Sequence, residues 1–438
     1  MCWRRREQSR GKLHGTSDEL RSIMSPPPMN LLSVREARER ILSHFQPGTT
    51  EALPAVESLN RILAQDVIAL DDLPSFDNSS MDGFAIRAID VADAKPVSPR
   101  TLRVVADIPA GSPPTVFLAP GEAARIMTGA VAPQGADAVI PVEDTDFQDR
   151  AAGAPPPPEV TVFASVNQYE NIRRRGADIR AGEIALQQGR TLRPQDVALL
   201  ASLGYSTVEV FRKPRVALFS SGDELLDASQ PLEPGKIRDS NSHMLAGLIE
   251  SAGAEVERLG TAKDTYDSVR AALDKTSALN VDLILSSAGV SVGAFDYVKS
   301  VIESNGKMDF WRVNMRPGKP LAFGEYNGIP FIGLPGNPVS AFVGFEVFVR
   351  AALGRLAGQT ESNRLTIRAR CEEEINSDGR ESYLRASLRD ENGSLIARLT
   401  GHQGSGNLLS LAQADALLII PAGVKCVPAG QEVEAWLL

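Results

Sequence analysis

Residues 215–221, RVALFSS, decide the fold class of this chain, because they form the apolar run that is typical of a strand buried on both faces. A predicted helix follows over residues 239–254, with Ser240 or Asn241 as its N-cap and Gly253 at its end. The pattern then repeats, with strands at residues 255–261, 281–287 and 329–334, and helices at residues 266–278, 295–304 and 338–353. Strands that alternate with helices in this way predict a doubly wound parallel sheet with right-handed crossovers.

Other regions surround this α/β segment. An amphipathic helix is predicted from Ser33, and a second helix, residues 193–203, is predicted to end at Gly204. We expect these two helices to pack together. Short apolar runs between polar turns predict β-rich structure over residues 66–170, and again from about residue 360, where they are typical of a small β barrel.

Length and composition exclude several classes of protein. A chain of 438 residues is too long for one hydrophobic core, and 43% apolar with 23% charged residues is typical of a globular protein. The 46 Lys and Arg against 55 Asp and Glu give a formal charge of -9, which disfavours nucleic acid as a partner. The cysteines, Cys2, Cys371 and Cys426, are too far apart in sequence for a disulfide framework. With only four histidines, no Cys/His zinc site of ordinary spacing can be assembled from neighbouring residues, so any metal is expected to be hard and held by oxygen. No apolar segment is long and uncharged enough to predict a membrane span.

Three loops leave strands at the carboxyl edge of the predicted sheet, where open α/β sheets bind ligands. They are residues 220–224, 286–293 and 334–338. Backbone N–H groups in such loops favour an anion. Two simpler interpretations stay open: residues 286–293 as a glycine-rich turn, and residues 334–338 as a helix start with Asn337 as N-cap and Pro338 in the first turn.

Two basic segments are candidate anion ligands. Arg316 and Lys319 flank a Pro-Gly turn, and residues 173–175 are three adjacent arginines, which repel one another unless an anion approaches. Solvent exposure is the alternative for both segments.

Carboxylates supply the complementary chemistry. Asp82 lies in a polar turn, and Asp77 in the same segment is interpreted as a turn-capping residue. Further carboxylates fall in loops or at element ends: Asp178, Asp223, Glu224, Asp264 and Asp296. Carboxylates beside phosphate-binding loops commonly hold Mg²⁺ between the protein and substrate oxygens.

Ordered motifs along the chain carry a resemblance to a known family. They are FDNSSMDGFAIR, RIMTGAVAPQGADAVIP, RRRGADIRAGE, ALFSSGDELL, SSAGVSVGAFDY, MRPGKPLAFG, GLPGNPVSAF and TGHQGSG. From about residue 30 to the C-terminus, the sequence resembles the bacterial molybdopterin molybdenumtransferases, which are related to the E domain of gephyrin. The resemblance implies insertion of molybdenum from molybdate into adenylated molybdopterin, with Mg²⁺ as cofactor and release of AMP.

The resemblance also implies a multidomain α/β plus β fold. The expected regions are a disordered tail at residues 1–28, a helical linking domain at 29–67 plus 176–209, an inserted β-rich domain at 68–175, a doubly wound domain at 210–360 and a C-terminal β barrel at 361–438. Family members are homodimers, which implies an active site shared between subunits, with Asp82 and Thr128 supplied by the partner chain. Transient contact with molybdopterin adenylyltransferase and with apo-molybdoenzymes, and a cytoplasmic location, are further expectations.

Taken with the loops, the resemblance implies a set of site residues. The expected catalytic residues are Asp82, Thr128, Asp178, Glu224 and Lys319. The expected substrate-binding residues are Arg173, Ser287, Gly289, Ser291, Gly293, Arg316, Pro335, Gly336, Asn337 and Pro338. The expected metal ligands are Asp178, Glu224, Asp264 and Asp296. Arg316 departs from the family pattern, since many relatives have Lys there, and a guanidinium contacts an anion as a fork rather than as a point charge.

Both reagents of the implied reaction are anions, so the site must offset their repulsion. Lys319, Arg316 and the loop N–H groups are expected to do this, and Asp82 or Glu224 to move protons. Two alternatives stay open. One is adenylation of molybdopterin, which needs ATP, and the other is a non-catalytic scaffold of the same family.

Overall fold

The fold is described from a computed structural model that covers residues 31–147, 155–287, 297–359 and 364–438. The chain forms two compact units, which are Thr49–Phe211, and Arg212–Leu438 together with the residues up to Gly48. The predicted tail, residues 1–28, lies outside the described residues. The predicted domain boundaries at residues 67/68 and 175/176 stay predictions.

The helices in the described ranges are, in chain order, α1 (Val34–Leu42), α2 (Pro194–Ser202), α3 (Ser240–Ser251), α4 (Tyr266–Asp274), α5 (Tyr297–Asn305), α6 (Pro338–Gly344), α7 (Arg350–Leu356) and α8 (Leu408–Ala412). A π-helical segment, Phe345–Val349, joins α6 to α7, so the helix predicted from residue 338 is continuous. Among all the helices in the described ranges, none is both long and apolar enough to cross a membrane.

Helix ends confirm one expectation and correct another. Helix α2 ends before Gly204, which has a φ of +81°, as predicted. Helix α3 is capped by Asp239, whose Oδ1 accepts a hydrogen bond from the Ser242 N–H at 3.0 Å. The prediction of Ser240 or Asn241 as the cap is therefore wrong. Because Asp239 caps the helix, the Asn241 side chain can make other contacts.

The strands of at least four residues are, in the same ranges, β1 (Thr50–Pro54), β2 (Gly83–Ile86), β3 (Arg100–Ile108), β4 (Glu122–Ile126), β5 (Ala138–Pro141), β6 (Glu159–Val162), β7 (Thr207–Phe211), β8 (Arg215–Ser221), β9 (Glu255–Ala262), β10 (Leu283–Ser287), β11 (Gly306–Val313), β12 (Pro320–Tyr326), β13 (Ile329–Leu334), β14 (Thr366–Cys371), β15 (Glu381–Glu391), β16 (Ser394–Leu399), β17 (Ala416–Ile420) and β18 (Glu432–Leu437).

The doubly wound sheet has the order β11-β12-β13-β10-β8-β9, and Leu31–Leu32 pairs alongside β11. Strands β9, β8, β10 and β13 are parallel, which confirms the α/β prediction. Strands β11 and β12 are antiparallel additions that the sequence analysis does not predict. Both contain glycines in close contact with the neighbouring strand. A Cβ at Gly306 or at Gly324 would lie 2.0 or 2.2 Å from a backbone oxygen of the facing strand. Glycine weakens the sequence signal of a strand, which explains why the pair was missed.

Apolar side chains cover both faces of this sheet. One core cluster includes side chains from α3 and α6, and the other includes side chains from α4 and α5. Helix α1 joins the first cluster through Val34, Ala37 and Ile41. Helix α2 belongs to a separate cluster in the unit Thr49–Phe211. The expectation that α1 packs on α2 is therefore wrong, because the apolar face of α1 is buried against the doubly wound sheet.

The two β-rich regions differ in closure. In the unit Thr49–Phe211, a five-stranded sheet has the order β5-β2-β4-β3-β6, and β1 pairs with β7 outside it. Near the C-terminus, β15, β16, β14, β18 and β17 form a closed barrel, because β17 also pairs with β15. The predicted C-terminal barrel is confirmed.

Candidate functional site

The strand order defines a switch point at the carboxyl edge of the doubly wound sheet. From β8 the chain crosses to β9 on one side and then to β10 on the other, so a crevice is expected outside the ends of β8 and β10. Loops after β8 and β13 are described there. The loop after β10, residues 288–296, lies outside the described residues, and with it the predicted site residues Gly289, Ser291, Gly293 and Asp296.

A carboxylate cluster lies at the ends of β8 and β9. The Asp223 N–H donates to Asp264 Oδ2 at 3.3 Å, and the Asp264 N–H donates to Asp223 Oδ1 at 3.2 Å. Glu224 folds back onto Gly222, where a Cβ would lie 2.6 Å from Glu224 Oε2. Burial, with the charges of Asp223 and Glu224, raises the pKa of Asp264. A cation bound here would relieve the crowding of like charges.

The structure brings together only part of the predicted metal set. Glu224 and Asp264 share the cluster, Asp178 belongs to the other compact unit, and Asp296 lies outside the described ranges. In the described chain, no group of three or more His, Cys, Asp or Glu side chains forms a metal site. Mg²⁺ commonly keeps several waters and uses one or two carboxylates with substrate phosphates. The cluster therefore fits a Mg²⁺ ion that is bound with its substrate, rather than a preformed protein cage.

Replacing Asp264 with Asn tests this electrostatic description without an activity assay. Because the pKa of Asp264 is raised in the folded protein, its ionised form opposes folding at neutral pH, and the wild type should gain stability relative to Asp264→Asn as pH falls through that pKa. We expect Asp264→Asn to raise the thermal midpoint at pH 7 by about 2 °C, and Mg²⁺ to stabilise the wild type more than the variant.

The matched control is Asp267→Asn, an exposed carboxylate three residues further along the chain. The control should respond to Mg²⁺ as the wild type does. Equal Mg²⁺ stabilisation of wild type and Asp264→Asn, measured by thermal scans at fixed ionic strength, would contradict the cation assignment.

The basic turn after β11 is joined to the barrel. Met315 and Arg316 pair in parallel with the start of β15. Arg316 Nη1 lies 4.0 Å from Asp378 Oδ2, and Arg380 Nε donates to the same carboxylate oxygen at 3.0 Å. The hydrogen bonds from Arg380 lower the pKa of Asp378 to about 2. The Lys319 ammonium makes no ion pair with a described residue, so its charge is available to a ligand.

The loop after β13 contacts the segment that follows β16. Pro338 is the first residue of α6, and Asn337 occupies the N-cap position, but the Asn337 side chain does not cap the helix. Asn337 Nδ2 donates instead to Ser405 Oγ at 3.1 Å, and the Val339 N–H donates to Ser405 O at 3.0 Å. The helix-start interpretation therefore explains Pro338 but not the Asn337 side chain.

Arg385 is the principal site candidate that the sequence analysis missed. The residue is 0% exposed, on strand β15. Its Nε donates to Ser410 Oγ at 2.6 Å, and its Nη2 donates to His402 O at 3.1 Å and to Gly404 O at 3.2 Å. Nη1 is buried without a hydrogen-bond partner, and Arg385 forms no ion pair with any described residue. Burial, with the charge of Arg316, lowers its pKa.

A buried guanidinium without a carboxylate is unfavourable unless an anion is bound nearby. Arg385 holds the turn that carries Ser405, and this turn contacts the loop after β13. The TGHQGSG motif pointed to this segment, but no spacing rule pairs residues 385 and 405. The antiparallel pairing of β15 with β16, in which Ala386 lies opposite Leu399, brings Arg385 next to the turn that follows β16.

In the unit Thr49–Phe211, the structure brings Asp82 and Thr128 together. Asp82 Oδ1 accepts hydrogen bonds from the Thr128 N–H and from Thr128 Oγ1, both at 2.7 Å. The next residue, Gly83, begins β2, and a Cβ there would lie 2.0 Å from Ile140 O, so the turn requires glycine. Both Asp82 and Thr128 are exposed. The carboxylate is therefore fixed in place and accessible.

The three adjacent arginines are already paired inside this unit. Arg173 contacts Asp178, Arg174 Nε lies 3.5 Å from Asp77 Oδ2, and Arg175 Nε donates to Asp72 Oδ2 at 2.6 Å. The expectation that these charges repel until an external anion arrives is therefore wrong, because each guanidinium has its own carboxylate. Arg173 and Asp178 lie together, but a ligand would have to compete with their ion pair.

The fold and the loops define a doubly wound α/β protein of the kind that binds its ligand at the switch point. Family models match most of the chain. They are the MoeA N-terminal region (domain I and II) at residues 32–204, the probable molybdopterin binding domain at 217–355, and the MoeA C-terminal region (domain IV) at 368–438.

Individual relatives match this chain over most of their own length. The molybdopterin molybdenumtransferase of Nostoc sp. is 39% identical over 391 residues, 88% of each chain. That of Bacillus subtilis is 36% identical over 415 residues, 93% of this chain and 94% of the relative. A crystal structure of the molybdopterin biosynthesis moeA protein from Pyrococcus horikoshii OT3 is 32% identical, with a TM-score of 0.79 over 93% of this chain and 100% of that chain. The chain therefore belongs to the MoeA family, and it is an enzyme of molybdenum cofactor biosynthesis.

Proposed function

We propose that this enzyme inserts molybdenum from molybdate into adenylated molybdopterin in the presence of Mg²⁺, with release of AMP. The observation that carries the proposal is the fully buried Arg385, a cation with no carboxylate partner in the described chain, beneath the turn that contacts the loop after β13. Lys319 and Arg316 add positive charge on the neighbouring segment. These cations offset the repulsion between an oxyanion and a phosphorylated substrate.

Carboxylates supply the other half of the proposal. Glu224 and Asp264 would hold Mg²⁺, which would neutralise charge on the adenylyl phosphate as AMP leaves. Asp82, fixed by its two hydrogen bonds to Thr128, is a group that can accept or donate a proton at a defined position. Glu224 is the alternative proton carrier. Gly222, which has no side chain, leaves room for the Glu224 carboxylate at the end of β8.

A reaction assay tests the activity and separates it from the two alternatives. Purified protein is given adenylated molybdopterin with molybdate and Mg²⁺, and separately molybdopterin with ATP. We expect AMP release and cofactor formation only in the first mixture. Product only in the second mixture would favour the adenylyltransferase, and product in neither would favour the scaffold.

We also propose that the enzyme is a homodimer whose active sites take Asp82 and Thr128 from one subunit and Glu224 and Lys319 from the other. The support is that these residues divide between two compact units of the chain. The test mixes two inactive variants, Asp82→Asn and Glu224→Gln, after reversible dissociation. Heterodimers then contain one intact site, and about a quarter of wild-type activity should return. No recovery from a confirmed heterodimer would show that each site is built within one subunit.

The Asp82–Thr128 contact gives a smaller, graded prediction. Thr128→Val removes the hydroxyl donor but keeps the backbone N–H, so Asp82 loses one of the two hydrogen bonds that Thr128 donates to it. We expect kcat to fall about tenfold, which corresponds to one hydrogen bond to a charged group, and Thr128→Ser to restore it. Turnover of Thr128→Val equal to that of Thr128→Ser would show that the hydroxyl has no part in the reaction.

A further inference from the structure

Asn241 makes a buried contact that capping does not explain. It lies in the first turn of helix α3 and is 8% exposed. Its Nδ2 donates to Ser287 Oγ at 2.9 Å and to Gly336 O at 2.7 Å. Both Nδ2 protons of the amide are therefore donated in hydrogen bonds, one to the last residue of β10 and the other to the loop after β13.

These two partners belong to neighbouring strands at the same edge. Strand β10 pairs with β13, and Ser287 is in register with Leu334, two residues before Gly336. One side chain from a helix thus joins the end of β10 to the loop after β13. Both groups in the Gly336 contact are neutral. Asn241 is buried but Gly336 is exposed, so loss of the donor would release the loop to solvent.

The surroundings of Asn241 are polar. Asn241 Oδ1 and the neighbouring Ser220 Oγ are both buried, and neither has a hydrogen-bond partner among the described residues. Ser220 is in register with Ser287, so these polar atoms form one group beneath the crevice. An apolar side chain of the same size would be better tolerated if the position served packing alone. The arrangement therefore favours the two Nδ2 donors as the reason for Asn.

We propose that Asn241 is a positioning residue, which holds the end of β10 and the loop after β13 in the arrangement that binds the oxyanion. It acts through Ser287 and Gly336 rather than on the substrate. The part that concerns the oxyanion rests on the proposed function, whereas the part that concerns the loop does not.

Asn241→Asp tests the proposal with little change in volume. The new carboxylate cannot donate to Gly336 O, so the loop should be released. Amide exchange at Val339, which donates to Ser405 O next to this loop, is expected to accelerate about tenfold in hydrogen–deuterium exchange at pH 8. Tungstate affinity should fall by a similar factor. Burial raises the pKa of an introduced carboxyl, so both effects should shrink at pH 5.5, where the protonated form regains one donor.

Ser240→Ala is the matched control. Ser240 lies one residue earlier in the same helical turn, and its side chain makes no hydrogen bond in the described chain, so exchange and affinity should match the wild type. If Asn241→Asp fails to fold, Ser287→Ala removes one of the two contacts and should give a smaller change in the same direction.

The outcomes separate the two proposals. Unchanged exchange at Val339 in Asn241→Asp and Ser287→Ala would overturn the positioning role, whatever the activity. Faster exchange without recovery at pH 5.5 would also overturn it, because the donor would then be irrelevant. Faster exchange with recovery supports it, even if the wild type binds no tungstate, and in that case only the proposed function fails.

Discussion

Replacing Arg385 with Met is expected to lower kcat/KM for molybdate by about a hundredfold, with the fold intact. The substitution removes the buried cation beneath the Ser405 turn and keeps a long apolar side chain in the barrel. Three hydrogen bonds are lost, to Ser410 Oγ, His402 O and Gly404 O. The unfavourable free energy of burying a charge with no counter-ion among the described residues is lost as well. These effects oppose each other, so we expect the free energy of unfolding to change by less than about 2 kcal/mol. Steady-state kinetics with varied molybdate and urea unfolding measure the two quantities.

Two further variants sharpen this result. Arg385→Lys keeps the charge but cannot bridge three acceptors, so a loss of about tenfold is expected. Arg389→Met is the matched control, because Arg389 lies on the same strand but pairs with Glu372 and Glu391 at the surface. The control should keep the wild-type molybdate response. A wild-type response of Arg385→Met would remove Arg385 from the site and, with it, the main support for the proposed function.

Replacing Glu346 with Gln is expected to lower the free energy of unfolding by about 3–5 kcal/mol. The Glu346 side chain is 0% exposed and lies between two guanidinium groups. Arg350 donates to Oε2 at 2.6 Å and to Oε1 at 2.9 Å, and Arg364 donates to each oxygen at 2.9 Å. The amide removes the negative charge and leaves two partly buried cations facing each other. Because Arg364 leads into strand β14, the cluster joins the barrel to the helix that begins at Pro338.

Acid should reduce the contribution of the same cluster to stability. Burial alone would raise the pKa of Glu346, but the hydrogen bonds from Arg350 and Arg364 outweigh it and lower the pKa below its ordinary value of 4.5. A lowered pKa contributes stability above pH 4.5, and this contribution is lost as pH falls through the pKa of the folded state. The free energies of unfolding of wild type and Glu346→Gln, measured in urea, should therefore become more similar in acid.

The control for Glu346 is Glu303→Gln, which breaks an exposed pair with Lys299 on helix α5 and should change stability by less than about 1 kcal/mol. Replacing all three members of the Glu346 cluster with apolar residues should recover most of the loss, since no charge is then left unpaired. A loss for Glu346→Gln no larger than that for Glu303→Gln would show that the two arginines are satisfied without the carboxylate.

The parallel strands and their helices could be predicted from sequence because the signal is local. Uninterrupted apolar runs such as residues 215–221 have to be buried on both faces, and the intervening helices leave few ways to connect them. Antiparallel strands β11 and β12 carried no such signal, since glycines at close contacts replace the β-branched residues that mark a strand. The surface against which α1 packs could not be predicted from the local sequence pattern either. Its apolar face was evident, but the surface that covers it was not.

The same division holds for the candidate site. Asp82, Thr128, Glu224 and Lys319 could be predicted as site residues because they stand in motifs that carry the family resemblance, and their roles stay predictions. Arg385 and Asn241 were missed because their significance lies in what surrounds them. Arg385 is one arginine among many until the closed barrel buries it, and Asn241 looks like a helix cap until Asp239 takes that role.

Sequence alone was enough to predict the parallel strands with their intervening helices, the family, and the loops that carry the ligand-binding motifs, because each of these depends on residues close together in the chain. Which charges are compensated depends on the three-dimensional packing of the chain. The fold pairs the three adjacent arginines with carboxylates from their own unit, whereas Arg385 has no carboxylate partner among the described residues. The reason is physical: the energy of a charge depends on its burial and on its neighbours in space, and neither is fixed by its neighbours in sequence.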